Sequence, residues 1–149
     1  TVESVEPSPP MPDVVPSVPP LVDEAALRGA RILVVDDETD AREFTAFTLQ
    51  ARGADVAIAD SVHAALATLQ QKGPFDIVLS DIAMPNEDGF QLADRVRKLA
   101  GLRPKLVALS AHARSVDVAG ALQRGFDMHI AKPVDAQRLV QRLAALLAR

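Results

Sequence analysis

Residues 31–37 read RILVVDD. Ile32, Leu33, Val34 and Val35 form an unbroken aliphatic run, apolar on both faces, as a central strand of a parallel sheet requires. The run stops at two adjacent carboxylates, Asp36 and Asp37, and the helical pattern that follows begins at Thr39. Two like charges at the end of a buried strand repel each other, so something in the fold has to offset them.

Working outward, the same alternation of apolar run and amphipathic segment repeats. ADVAIA (54–59), FDIVLSD (75–81), KLVALSA (105–111) and MHIAK (128–132) read as further short strands. Helical patterns are expected over Thr39–Arg52, Ser61–Gln71, Phe90–Leu99, Ser115–Arg124 and Asp135–Ala148. The first places Phe44, Phe47 and Thr48 on one side and ends at Gly53. In the second, Ser61 is the N-cap and Ala65, Leu66 and Leu69 face inward. The last carries a stripe of Leu139, Leu143, Leu146 and Leu147. Strict alternation of strand and helix predicts an α/β fold, a doubly wound five-stranded parallel sheet with five helices on its two faces.

The chain has 149 residues, 48% of them hydrophobic, enough for one domain with a proper core. Residues 1–28 are read as a proline-rich linker or tail, with seven of the eleven prolines before residue 23, and 29–149 as the folded domain. Cysteine is absent, which rules out disulfides and thiolate metal sites and accords with a cytoplasmic setting. No apolar run is long enough to span a bilayer. A net charge of -4, scattered basic residues and an aromatic content of 3% argue against direct nucleic-acid binding. The first residue is Thr1, which suggests a piece of a longer product.

Sites in a doubly wound sheet form beyond the carboxyl ends of the strands. The last residues of the expected strands are Asp36 and Asp37, Asp81, Ser110 and Lys132. Singly, each would pass for a helix cap or a solvated loop end. Together they gather three carboxylates, a hydroxyl and an ammonium on one rim. Hard oxygen donors without His or Cys favour Mg²⁺ or a similar divalent ion, and such a site commonly holds a phosphate too. Asp81, central in the sheet, is the best candidate for a carboxylate nucleophile toward phosphorus, with Lys132 and Ser110 set to contact the remaining oxygens.

ILVVDDE, VLSDIAMPNEDGF, VALSAHA and GFDMHIAKP, in this order and spacing, resemble the signature segments of the response-regulator receiver domain (CheY-like), over about Arg31 to Arg149. The resemblance implies a flavodoxin-like fold with strand order 2-1-3-4-5. It implies that Asp81 is the phosphoacceptor and that Asp36 and Asp37 seat Mg²⁺ with the backbone carbonyl of Ala83. Of the pair, Asp37 would be the direct ligand and Asp36 would act through water. Ser110 would contact the phosphoryl group, Lys132 would be its ion-pair partner, and the Lys132–Pro133 peptide would be cis. The implied donor is a histidine kinase or histidine phosphotransfer protein. The domain itself would be a phosphoacceptor with self-phosphorylation and self-dephosphorylation chemistry rather than a turnover enzyme.

Two positions depart from the commonest family pattern. His129 stands where many receivers carry Tyr or Phe, so it either switches, more weakly or with sensitivity to pH near neutrality, or is a half-exposed edge residue with no switching role. Ala83 can neither orient nor block a water at the phosphoryl group. His63 and His112 are expected at the surface, and Met84–Gly89 as a turn set by Pro and Gly. The proline-rich start, the stop after the last helix and GFDMHIAKPVD favour the C-terminal receiver of a hybrid sensor histidine kinase. A stand-alone regulator and a pseudo-receiver that keeps only the fold are the alternatives. The sequence is silent on oligomeric state. A metal-dependent phosphatase is disfavoured, because no carboxylate lies two residues after Asp81 and the chain is too short for a substrate-enclosing cap.

Overall fold

A computed structural model describes residues 26–82, 89–98, 104–110, 125–132 and 135–148. Five strands, β1 (Arg31–Val35), β2 (Asp55–Ala59), β3 (Ile77–Asp81), β4 (Lys105–Ser110) and β5 (Met128–Ala131), form one sheet in the order β2-β1-β3-β4-β5. Every neighbouring pair is parallel. Four helices surround it among the described residues: α1 (Thr39–Gln50), α2 (Val62–Lys72), α3 (Gly89–Arg97) and α4 (Ala136–Leu147). The remaining expected helix, Ser115–Arg124, lies outside the described residues.

Alternation along each strand splits the core in two. Ile32, Val34, Ile77 and Leu79 face one side, where Leu49 of α1 and Leu139, Leu143 and Leu146 of α4 cover them. Leu33, Val35 and Val78 face the other, under Val62 and Ala65 of α2 and Leu92, Ala93 and Val96 of α3. Both faces of β1 and β3 are covered, which is why their sequences are apolar without alternation. Ser61 caps α2 by accepting from Ala64 N at 3.1 Å, and Asp135 caps α4 by accepting from Arg138 N at 3.2 Å.

Three expectations change. Phe44 and Phe47 are 55% and 71% exposed, and α1 instead buries Thr45, Ala46, Thr48 and Leu49. The inner face of α1 combines Leu49 with three small residues, so the apolar bulk of its sequence does not mark that face. The helix also ends at Gln50, with Gly53 two residues past the cap at a positive φ of 95° in the turn to β2. Core packing reaches upstream of residue 29: Leu27 is fully buried, and its N–H donates to Arg52 O at 2.9 Å.

Candidate functional site

The strand order reverses beside β1, and the crevice there opens at the carboxyl ends of β1 and β3. Asp36 follows the last residue of β1 and Asp81 ends β3, so the pairing of the two strands brings both acids to one rim. Carboxylate oxygens of Asp36, Asp37 and Asp81 lie within 4.8 Å of one another. Asp36 is 2% exposed and Asp81 8% exposed, whereas Asp37 faces solvent.

Lys132 follows the last residue of β5, two strands from Asp81 and three from Asp36. At ~4.8 Å per strand, its backbone sits on the order of 10 Å from the acids, and the long side chain spans that gap. Lys132 Nζ lies 3.0 Å from Asp81 Oδ2 and 3.3 Å from Asp36 Oδ2. Burial of the ammonium opposes its charge. Hydrogen bonding and Coulomb attraction to Asp81 and Asp36 more than offset this and raise the lysine pKa above its ordinary value. Ser110 is half-buried at the end of β4 between these partners, and its carbonyl accepts from Lys132 N at 2.8 Å.

The turn after β1 is tied down on several sides. Asp36 N donates to Ala59 O at 3.1 Å, and Asp36 Oδ1 accepts from Glu38 N at 2.9 Å. Arg42 reaches back from α1 so that its Nη1 donates to Asp36 O at 2.8 Å. On the β3 side, Gly89 N donates to Ile82 O at 2.9 Å. A Cβ at Gly89 would stand 2.8 Å from Asp81 O and 2.9 Å from Ile82 Cα. Gly89 is therefore needed for a close approach of α3 to the acid-bearing end of β3, rather than for the turn geometry expected of it.

The predicted residues Asp36, Asp37, Asp81 and Lys132 are thus brought together, with Ser110 on the same rim. Ala83, the rest of the turn before Gly89, His112 and the Lys132–Pro133 peptide lie outside the described residues. His129 is 8% exposed, so it is a buried residue rather than the half-exposed edge position that was one of its two readings. It sits opposite Ala108 of β4 and points to the sheet face away from Ile130. His63 is exposed. Arg42 and Gly89 were missed. The signal for Arg42 was available: a cation near the first turn of a helix runs against the helix dipole and has to be held there by something else.

The donor set suits a hard divalent cation. Three carboxylates converge with no nitrogen or sulfur ligand among them, and a lysine ammonium already lies against two.

A family model described as the response regulator receiver domain matches residues 32–144. The chain belongs to this family. Receivers act in two-component phosphorelays, accept phosphate from histidine kinases and typically use Mg²⁺. This receiver is 42% identical over 111 residues to an uncharacterized 14.6 kDa protein in the sodA1 3' region of Leptolyngbya boryana, covering 74% of this chain and 84% of that one. It is 35% identical over 118 residues to the sensor histidine kinase GacS of Pseudomonas protegens, covering 76% of this chain but 13% of the kinase. Among solved structures, the CheY-like receiver domain protein of Methanospirillum hungatei superposes with a TM-score of 0.71 at 30% identity, covering 80% of this chain and 94% of that one. Among the described residues, no helix is long and apolar enough to cross a membrane.

Proposed function

We propose that this receiver takes a phosphoryl group from a phosphohistidine onto Asp81. The observation that carries the reading is the Lys132 ammonium lying against Asp81 and Asp36 at the rim where three carboxylates converge. A carboxylate oxygen of Asp81 attacks phosphorus, a P–O bond forms, the P–N bond to the donor imidazole breaks, and that nitrogen leaves and takes a proton. Asp36, Asp37 and Asp81, with the carbonyl of Ala83, are the residues that would hold Mg²⁺. When bound, the ion supplies charge neutralisation at the phosphoryl oxygens. Lys132 donates to a phosphoryl oxygen from the position in which it already contacts Asp81. The Ser110 hydroxyl contacts another and moves toward it, and His129, buried on the neighbouring strand, takes the place of the family's switching aromatic residue.

The chemistry is tested by incubating the chain with acetyl phosphate and Mg²⁺ and measuring its intact mass. A single phosphoryl addition that Asp81→Asn abolishes supports the reading. No addition to the wild-type chain would make it a pseudo-receiver.

For context, we propose a hybrid sensor histidine kinase, with this domain, from about Leu27 onward, as its receiver, working in the cytoplasm. The support is the 35% identity to a segment of a sensor histidine kinase. A stand-alone regulator is the second reading, supported by the likeness to a 14.6 kDa protein of which this chain covers 84%. Sequencing the reading frame upstream of Thr1 separates them: a kinase core there supports the first, and its absence the second.

A further inference from the structure

We infer that Arg42 is a positioning residue for the cation-binding turn, acting through the Asp36 peptide rather than by touching an ion or a phosphoryl oxygen. The inference rests on the receiver reading above. The peptide unit that carries the Asp36 carbonyl also carries the N–H of Asp37 and is planar. Its orientation therefore fixes ψ of Asp36 and φ of Asp37 together, and with them the directions in which the two carboxylates are presented.

The β1 ladder ends at Val35, so sheet hydrogen bonds no longer hold that peptide. Among the described residues, its carbonyl accepts from Arg42 Nη1 at 2.8 Å. The guanidinium is itself steadied. Arg42 N donates to Glu38 O at 3.0 Å, Nη2 lies 3.5 Å from Thr39 Oγ1, and the residue is half-buried. A closed ring results: Asp36 Oδ1 holds Glu38 N, Glu38 O holds Arg42 N, and Arg42 Nη1 returns to Asp36 O. Asp37, the exposed member of the cluster, lies inside this ring.

Electrostatics makes the role separable by sign. A fixed positive charge beside a cation site repels the cation, so removing Arg42 for charge alone would tighten Mg²⁺ binding. Removing a positioning group loosens it, typically by tenfold or more for residues that orient metal ligands.

The test is calorimetric titration of the 149-residue chain with MgCl₂, since the sequence has no Trp or Tyr to report by fluorescence. Arg42→Ala is expected to weaken Mg²⁺ binding about tenfold. Arg42→Lys, which keeps the charge and an N–H donor, is expected to recover most of the loss. Without Mg²⁺, the Glu38 amide resonance should move in Arg42→Ala and return in Arg42→Lys. If Arg42→Ala does not fold, Arg42→Lys is compared with Arg42→Gln: positioning makes the Lys variant the tighter binder, and a pure charge effect makes the Gln variant tighter. Wild-type binding with an unchanged or tighter Arg42→Ala overturns the inference alone. A wild-type chain that binds no Mg²⁺ removes the proposed phosphoacceptor function and this inference with it.

Discussion

Replacing Asp37 with Asn should reverse its effect on stability according to whether Mg²⁺ is present. In the apo protein, Asp37 lies within 4.8 Å of two other carboxylates, and Lys132 contacts Asp36 and Asp81 but makes no contact with Asp37. Asp37 is exposed, so the dielectric of water is the fitting one, and each pair at that distance repels by roughly 0.9 kcal/mol. Lys132 screens part of this, which leaves about 1 kcal/mol to be relieved by Asp37→Asn. For a domain of this size, that corresponds to a rise of about 4 °C in Tm in EDTA. With Mg²⁺ at a hundred times its Kd, the wild-type chain gains about 2.7 kcal/mol by mass action, and the variant, having lost a ligand, gains little. The order of stability should therefore cross: variant above wild type in EDTA, wild type above variant in saturating MgCl₂. Thermal unfolding followed by far-UV circular dichroism in both buffers measures it. A variant less stable than wild type in EDTA would refute the repulsion argument, and equal Mg²⁺ shifts in both proteins would refute Asp37 as a ligand.

Gly89→Ala should cost about 1–3 kcal/mol in urea unfolding, because the new methyl has to displace the backbone of Asp81 and Ile82. The same displacement at Asp81, the proposed phosphoacceptor, should slow phosphorylation by acetyl phosphate on the order of tenfold; a rate equal to wild type would separate packing from function at that residue. Phe47→Ser should change stability by no more than about 0.5 kcal/mol, whereas Leu49→Ala two positions on should cost about 2–5 kcal/mol. The reverse order in urea melts would return Phe47 to the core. The pKa of Lys132 is raised in the fold, so its contribution to stability is complete below the unfolded value of about 10.4 and is lost as pH rises through the higher folded value. The gap in urea midpoint between wild type and Lys132→Met in EDTA should then hold from pH 7 to about pH 10 and change only above it. A gap that closes near neutrality would contradict the assignment.

The parts of this molecule that were legible in its sequence are those in which one residue type has one place to go. Val34 and Leu79, apolar on strands apolar throughout, could only lie between two covered faces, and the acids beyond them could only meet at the strand ends. Pairing β1 with β3 then brings Asp36 to Asp81 across 45 residues of chain by sheet geometry alone. Periodicity failed where the largest apolar side chains do not lie on the inner face. Thr45, Ala46 and Thr48 are buried on α1 beside Leu49, and the two phenylalanines are left outside.

Sequence also failed where a residue acts through backbone. Gly89 acts by lacking a side chain that would strike Asp81 O, and Arg42 by holding the carbonyl of a residue whose own side chain attracts attention. Both serve the same need. Two acids following a strand are electrostatically uncomfortable, and the sheet hydrogen bonds hold them no further than the Asp36 N–H. Lys132 offsets charge at Asp36 and Asp81 but leaves Asp37 in repulsion. What keeps the doublet converged without a cation must then be steric and backbone constraint: the ring through Glu38 and Arg42 on one side, and the close contact of α3 with β3 on the other. The acids are held within 4.8 Å of one another, near a geometry that a divalent ion could use, and the stability forgone in doing so is what binding such an ion would return.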